Sequence, residues 1–209
     1  MFSHIKTVIF DIGGVLVDLY RDQCIEAFRR IGYPQAEEMI GLYCPSDTFM
    51  KLERGEMSGE ELTEFIRQDS GNPAITYNDV RDAYVAFLGE IPIEKLRMIR
   101  RLREAGYKTL ALSNINEFVM PHLREVLFRA DGLTMEDYFD HAFLSYEMKL
   151  LKPDPAIFEA LIRESGINLE EALFIDDSLE NIETARKLGF SVYCPGPYED
   201  FTPLLEELL

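Results

Sequence analysis

Three apolar segments of the chain end in side chains that could carry chemistry. The segments are residues 7–10, 108–112 and 172–175, and the polar residues that follow them are Asp11, Ser113 with Asn114, and Asp176 with Asp177. Because the carboxyl ends of parallel strands meet at one edge of a sheet, these side chains are predicted to gather there. Packed carboxylates repel one another unless a cation lies among them, and hard oxygen ligands suit Mg²⁺. The pattern therefore predicts a Mg²⁺ site for a phosphate, which Lys152 on a nearby loop can join.

Strand and helix patterns alternate from residue 91 to the end of the chain. Such alternation is typical of an α/β protein, and we predict a doubly wound parallel sheet with a Rossmann-like arrangement of helices on both faces. The apolar run Thr7-Val8-Ile9-Phe10 is predicted to be the first strand of that sheet.

Residues from about 22 to 90 have helical periodicity and little that indicates a strand. Within them, Ser58 stands three residues before Glu61, the spacing of a capping box ahead of an apolar helix face. We therefore predict two domains: a hydrolase core of residues 1–17 and 91–209, and a helical cap of residues 18–90 inserted after the first strand.

Composition restricts the partners of the protein. The 209 residues have a formal net charge of −17, which argues against binding to nucleic acid or to anionic membranes. No apolar stretch is as long as a membrane span, and the first residues lead directly into the first strand, leaving no room for a signal peptide. Three widely spaced cysteines, Cys24, Cys44 and Cys194, indicate reduced thiols. We expect a cytoplasmic protein, and the sequence does not predict its oligomeric state.

Four short motifs resemble those of the haloacid dehalogenase-like hydrolases, in the branch with a helical cap after the first strand. They are Phe10-Asp11-Ile12-Gly13-Gly14-Val15, Leu112-Ser113-Asn114, Lys152-Pro153-Asp154-Pro155 and Phe174-Ile175-Asp176-Asp177-Ser178-Leu179-Glu180-Asn181. The four occur in order across essentially the whole chain. Through Glu53-Arg54-Gly55-Glu56 in the cap, the chain is most similar to small bacterial sugar-phosphate phosphatases of the α-glucose-1-phosphatase type.

This resemblance implies a Mg²⁺-dependent phosphatase that forms an aspartyl phosphate on Asp11. The implied Mg²⁺ ligands are the Asp11 carboxylate, the Gly13 carbonyl and Asp177. Ser113, the Asn114 backbone and Lys152 would bind the phosphoryl oxygens. The implied supporting residues are Asp176, which would orient Lys152 or a metal-bound water, and Asn181. Lys149, three residues before Lys152, is a second candidate for the lysine that binds the phosphoryl group.

Gly13 departs from the pattern of the family. Family phosphatases usually have at this position an Asp that protonates the leaving group, and the loss of a positioned acid typically costs about 10²- to 10⁴-fold in rate. The lead hypothesis is therefore a phosphatase of a small phosphorylated metabolite with a good leaving group, with sugar-1-phosphates favoured, or one in which another group replaces the acid. The alternatives are a non-catalytic or weakly active phosphate-binding homologue and a metal-free 2-haloacid dehalogenase.

The cap is expected to select the substrate, but the pattern does not indicate which of its residues face inward. The candidates for substrate contact are Tyr20, Arg21, Tyr43, Phe49, Glu53 and Arg54. None of these is assigned from sequence.

Overall fold

The structure is a computed structural model, described here for residues 4–40 and 46–209. Its centre is a parallel sheet of five strands in the spatial order β3-β2-β1-β4-β5. The strands are β1 (Thr7–Phe10), β2 (Lys108–Ser113), β3 (His141–Leu144), β4 (Ala172–Ile175) and β5 (Ser191–Tyr193). The first strand of the chain thus lies in the middle, between β2 and β4. The predicted parallel α/β fold is confirmed.

Side chains of the central strands alternate between two apolar cores, one on each face of the sheet. Phe10 and Ile175 belong to the larger core, whereas Ile9 and Phe174 belong to the second. All four side chains are fully buried. A strand covered on both faces is apolar at every position, which is why β1 and β4 appear in the sequence as unbroken apolar runs.

Helices cover the sheet and form the segment between β1 and β2. They are α1 (Arg21–Arg30), α2 (Ala36–Ile40), α3 (Asp47–Glu53), α4 (Gly59–Ser70), α5 (Tyr77–Val85), α6 (Ile93–Glu104), α7 (Met120–His122), α8 (Met135–Tyr138), α9 (Ser145–Met148), α10 (Pro155–Ser165), α11 (Leu179–Leu188) and α12 (Thr202–Glu206). The chain continues α7 with a π-helical turn at Leu123–Leu127. None of the helices in the described ranges is long and apolar enough to cross a lipid bilayer.

Local capping agrees with the sequence patterns. Ser58 and Glu61 form the predicted capping box at the start of α4. Asp154 caps α10, whose first residue is Pro155, and an Asp before a Pro is a sequence pattern that predicts such a helix start. The sequence pattern predicts a loop from Arg129 to Asp137, but α8 begins within that range, at Met135.

Helices α1 to α5 leave the sheet and return to it at one place. The Tyr20 amide donates to the Phe87 carbonyl over 2.7 Å, and the Gly89 amide donates to the Asp18 carbonyl over 2.8 Å. This antiparallel pairing is the base of the helical segment and lies just beyond β1. The assignment of residues 18–90 to a separate cap domain stays a prediction. Cys44 and Tyr43 lie outside the described residues, and Cys24 and Cys194 are free thiols.

Candidate active site

Asp11 follows β1 directly and lies at the centre of the carboxyl edge of the sheet. Its amide donates to the Ile175 carbonyl over 2.9 Å, which extends the pairing of β1 with β4 by one residue. Its Oδ1 accepts a hydrogen bond of 2.7 Å from the amide of Ile12. The residue is only 8% exposed. The sheet and the following turn therefore fix the Asp11 carboxylate, with only a small part of its surface open to the site.

Lys152 is the cation of this site. Its side chain is 1% exposed, and its Nζ lies 3.0 Å from Oδ1 of Asp11 and 2.6 Å from Oδ2 of Asp176. Burial alone would lower the pKa of Lys152, but the two carboxylates raise it above its ordinary value, so the amine is charged. Lys149, the competing residue, is directed elsewhere, since its Nζ donates to the Gly55 carbonyl.

The side chain of Asn114 holds the backbone of Lys152 in place. Its Nδ2 donates to the Lys152 carbonyl and its Oδ1 accepts from the Lys152 amide, both over 2.9 Å. The segment after β2 therefore positions the lysine that lies beside Asp11. This clamp uses the side chain of Asn114 and leaves the backbone role expected from the family resemblance as a prediction.

Asp176 is fully buried, and both of its carboxylate oxygens already have partners. Oδ1 accepts 2.9 Å hydrogen bonds from the Ser178 amide and from Nδ2 of Asn181. Oδ2 receives Nζ of Lys152 at 2.6 Å, and Nδ2 of Asn181 lies 3.1 Å from it. The Asp176 carboxylate therefore contacts both Lys152 and the start of α11, and the supporting role of Asp176 and Asn181 stays a prediction.

The carboxylates of Asp11, Asp176 and Asp177 form a compact acidic cluster. One oxygen from each lies within 4.8 Å of the others. Burial, opposed by Lys152 and reinforced by the two other carboxylates, raises the pKa of Asp11 to about 7. Burial and Asp176 raise the pKa of Asp177 as well. A cation would relieve this repulsion, and because Asp176 is saturated, the oxygens that fit Mg²⁺ belong to Asp11 and the exposed Asp177.

A cavity of about 220 Å³ opens in front of Asp11. Its polar lining includes Ser113, Asn114 and Lys152 together with Asp11 and Asp177. Its apolar lining includes Leu19, Phe49, Phe87, Leu88, Val119 and Leu123. A cavity of this size with convergent polar groups is typical of a site for a small ligand. Among the described residues, Lys152 is the one Lys or Arg that lines the cavity, and its amine is already paired with two carboxylates. A phosphate dianion therefore requires an additional positive charge here.

Gly13, one residue beyond Ile12 in the turn after β1, has little room for a side chain. A Cβ on this residue would lie 3.2 Å from Cδ1 of Leu19, which is part of the cavity wall. An aspartate at this position would have to push Leu19 aside. Leu19 would therefore have to shift by a few tenths of an ångström to admit a side chain at Gly13.

Glu53 and Tyr84 reach the same cavity from the helical segment. Glu53 is the last residue of α3, and Tyr84 lies near the end of α5. Of the five cap candidates that the structure describes, Glu53 and Phe49 line the cavity. Tyr84 was missed, since an aromatic residue on an apolar helix face has the pattern of a core residue.

The fold and the motifs define a family. A family model for haloacid dehalogenase-like hydrolases matches residues 5–189, which is most of the chain. The protein belongs to the haloacid dehalogenase-like hydrolases. The family resemblance noted from the four motifs is therefore confirmed.

Individual relatives extend this assignment. The chain is 34% identical over 205 residues to D-ribitol-5-phosphate phosphatase of Bacteroides thetaiotaomicron, covering 98% of both proteins. A family enzyme from the same organism, solved in complex with magnesium and inorganic phosphate, has a TM-score of 0.89, 38% identity and coverage of 96% of this chain and 98% of its own. A family hydrolase of Porphyromonas gingivalis has a TM-score of 0.91, 38% identity and 98% coverage of both chains.

Proposed function

We propose that the protein is a Mg²⁺-dependent phosphatase that hydrolyses a small phosphorylated sugar or sugar alcohol. The observation that carries this proposal is the acidic cluster of Asp11, Asp176 and Asp177 with Lys152 buried between its members. The full-length similarity to a ribitol-5-phosphate phosphatase, and a related structure that contains magnesium and phosphate, support it.

In this proposal Asp11 attacks phosphorus, the bond to the leaving oxygen breaks, and an aspartyl phosphate forms. Water then cleaves that intermediate and restores the carboxylate. Lys152 neutralises charge on the phosphoryl group, and Ser113 and the Asn114 backbone bind its oxygens. Asp11, the Gly13 carbonyl and Asp177 would hold Mg²⁺, which supplies positive charge for the phosphoryl oxygens.

Gly13 and the related phosphatase favour different substrates. A missing acid at Gly13 favours a sugar-1-phosphate, whose leaving group needs little protonation. The related ribitol-5-phosphate phosphatase favours a phosphate on a primary alcohol. Release of inorganic phosphate from sugar-1-phosphates, sugar-6-phosphates and ribitol 5-phosphate, each with Mg²⁺ and with EDTA, tests the proposal. We expect turnover with Mg²⁺ and loss of turnover with EDTA; no release from any of these substrates would contradict a phosphatase.

Gly14→Ala is expected to weaken Mg²⁺ binding and so to raise the Mg²⁺ concentration needed for half-maximal phosphate release about 10- to 100-fold, as changes next to metal ligands do. A Cβ on Gly14 would lie 2.2 Å from Oδ2 of Asp177, at a backbone φ of +76°. A Mg²⁺ titration of phosphate release measures the effect. Gly132→Ala is the matched control, because its φ is +77° and nothing lies within 4 Å of the added Cβ. Equal Mg²⁺ requirements in the Gly14 variant and the wild type would argue against Asp177 as a ligand.

The two alternatives make different predictions. A non-catalytic binding protein, the possibility that Gly13 raises, would bind phosphate with Mg²⁺ and release none from a substrate. A metal-free haloacid dehalogenase would liberate chloride from a haloacid in the presence of EDTA, but the acidic cluster would repel a haloacid in the absence of a cation. We further propose a cytoplasmic location and no nucleic-acid partner, in line with the net charge of −17.

A further inference from the structure

Two polar side chains of the helical segment, those of Glu53 and Tyr84, line the cavity and take no part in the mechanism proposed above. Glu53, at the end of α3, is half-buried and lines the same cavity as Asp11 and Lys152. Leu19 lines the same cavity, and its Cδ1 would lie 3.2 Å from a Cβ placed on Gly13. A carboxyl group is thus present in the lining of the cavity, although Gly13 supplies none.

Three hydrogen bonds from the core hold the segment Glu53–Gly59 in place. Oγ of Ser145 donates to the Glu53 carbonyl over 2.7 Å, Nζ of Lys149 donates to the Gly55 carbonyl, and the Gly59 amide donates to Oε1 of Glu117 over 2.6 Å. The segment is therefore fixed at both of its ends and in between. A side chain on this segment has a defined position relative to the sheet edge.

The hydrogen bond from Ser145 to the Glu53 carbonyl connects Glu53 to the loop after β2, which carries the proposed phosphate-binding residues. The same Oγ of Ser145 accepts a 2.9 Å hydrogen bond from the Ile115 amide, two residues beyond Ser113. One hydroxyl thus joins the backbone of Glu53 to the end of β2. This connection fixes the backbone of Glu53 relative to the end of β2, at the edge of the sheet where Asp11 lies.

Tyr84 adds a second polar group to the same side of the cavity. Its hydroxyl is buried and has no hydrogen-bond partner within residues 4–40 and 46–209. Burial, with contributions from Cys24 and Glu53, raises the pKa of Tyr84 well above its ordinary value, so the hydroxyl keeps its proton. A buried donor without a partner is costly, and a polar ligand atom in the cavity would satisfy it.

Resting on the proposed phosphatase function, we infer that Glu53 is the proton donor for the leaving group, in place of the aspartate that Gly13 lacks. When Asp11 attacks, the bond between phosphorus and the ester oxygen breaks, and that oxygen takes the Glu53 proton. In the second step the Glu53 carboxylate accepts a proton from the attacking water, the bond between Asp11 and phosphorus breaks, and Glu53 is ready for the next cycle. The number of protons and electrons is unchanged over the two steps.

The charge state of Glu53 agrees with this role. Burial, opposed by Lys152 and reinforced by Asp11, raises the pKa of Glu53 to about 8. A carboxyl group with this pKa carries its proton at neutral pH, as a donor must at the start of the first step. The pKa lies close enough to neutrality for the group also to act as a base.

Glu53→Gln tests the inference through its dependence on the leaving group. Glutamine keeps the size of the side chain and removes the proton transfer. For ribitol 5-phosphate, whose alkoxide leaves poorly, we expect kcat/KM to fall about 10²-fold or more. For p-nitrophenyl phosphate, whose leaving group needs no proton, kcat/KM is expected to stay within about threefold of the wild type.

A second readout uses the step at which Glu53 acts as a base. Rapid mixing of Glu53→Gln with p-nitrophenyl phosphate is expected to give a burst of one p-nitrophenolate per enzyme, followed by slow turnover. The burst arises because the aspartyl phosphate forms but is hydrolysed slowly. A residue that only shapes the cavity would slow both steps and give no burst.

Glu56→Gln is the control, because Glu56 lies three residues further on, is exposed and pairs with Arg54. We expect wild-type rates on both substrates. Equal losses of kcat/KM on the two esters in Glu53→Gln, or no loss on either, would overturn the inference. If the wild type hydrolyses neither ester, the phosphatase proposal itself fails, and the inference falls with it.

Discussion

Asp11→Asn is expected to abolish phosphate release, with a loss on the order of 10⁴-fold or more, as is found when a catalytic nucleophile is removed. Asparagine has nearly the shape of aspartate and can still accept the hydrogen bond from the Ile12 amide. The substitution also removes one negative charge from the acidic cluster. We therefore expect a folded protein, shown by an unfolding temperature at least as high as that of the wild type, with no turnover on any phosphate ester.

Chemical trapping makes this prediction specific for the nucleophile. Wild-type protein quenched in acid during turnover should retain phosphate that hydroxylamine releases, and Asp11→Asn should retain none. Asp22→Asn on α1 is a charge-matched control, since its side chain is exposed to solvent. Residual turnover by Asp11→Asn near the wild-type rate would mean that another group attacks phosphorus.

Lys152→Met is expected to lower both the turnover and the stability of the protein. The Lys152 side chain is 1% exposed and is paired with Asp11 and Asp176. Removing one partner of a buried ion pair leaves uncompensated charge and costs about 3–5 kcal/mol. We expect that loss in the free energy of unfolding at pH 7 without Mg²⁺, measured by urea denaturation. Turnover should fall by about 10²- to 10³-fold or more, as when a transition-state donor is lost.

The pH dependence of this destabilisation follows from the carboxylates that remain. The pKa values of Asp11 and Asp177 already lie above their ordinary values, and the loss of Lys152, which lowers both, raises them further. The folded variant therefore binds more protons than the unfolded chain between pH 5 and 8. Its stability then falls as the pH rises through this range. The difference from the wild type should therefore be smaller at pH 5 than at pH 8. The double variant with Asp176→Asn should recover part of the stability, and a difference independent of pH would argue against carboxylate repulsion as its cause.

The strand ends could be predicted because local sequence determines them. Asp11 and Asp176 follow unbroken apolar runs, and a parallel sheet has only one carboxyl edge. The caps at Ser58 and Asp154 were predictable for the same reason, since each is formed within a few neighbouring residues. For these features, no knowledge of how distant segments pack was needed.

The features that depend on packing between distant segments could not be predicted. The position of Glu53 over the site depends on Ser145, which lies 92 residues further along the chain. The choice of Lys152 over Lys149 depends on the clamp by Asn114, since both lysines occupy the same loop. The proximity of Leu19 to Gly13 follows from the path of the chain after β1, which no periodicity in the sequence encodes.

The antiparallel base at Asp18–Tyr20 and Phe87–Gly89 has an evolutionary consequence. Since the two ends of the helical segment are hydrogen-bonded to each other, helices between them can lengthen, shorten or be exchanged without moving the strands. Substrate choice can therefore diverge among descendants while the sheet edge is inherited unchanged. If Glu53 supplies the proton, this lineage has given up part of that freedom, because the exchangeable segment then contains a residue that the reaction requires.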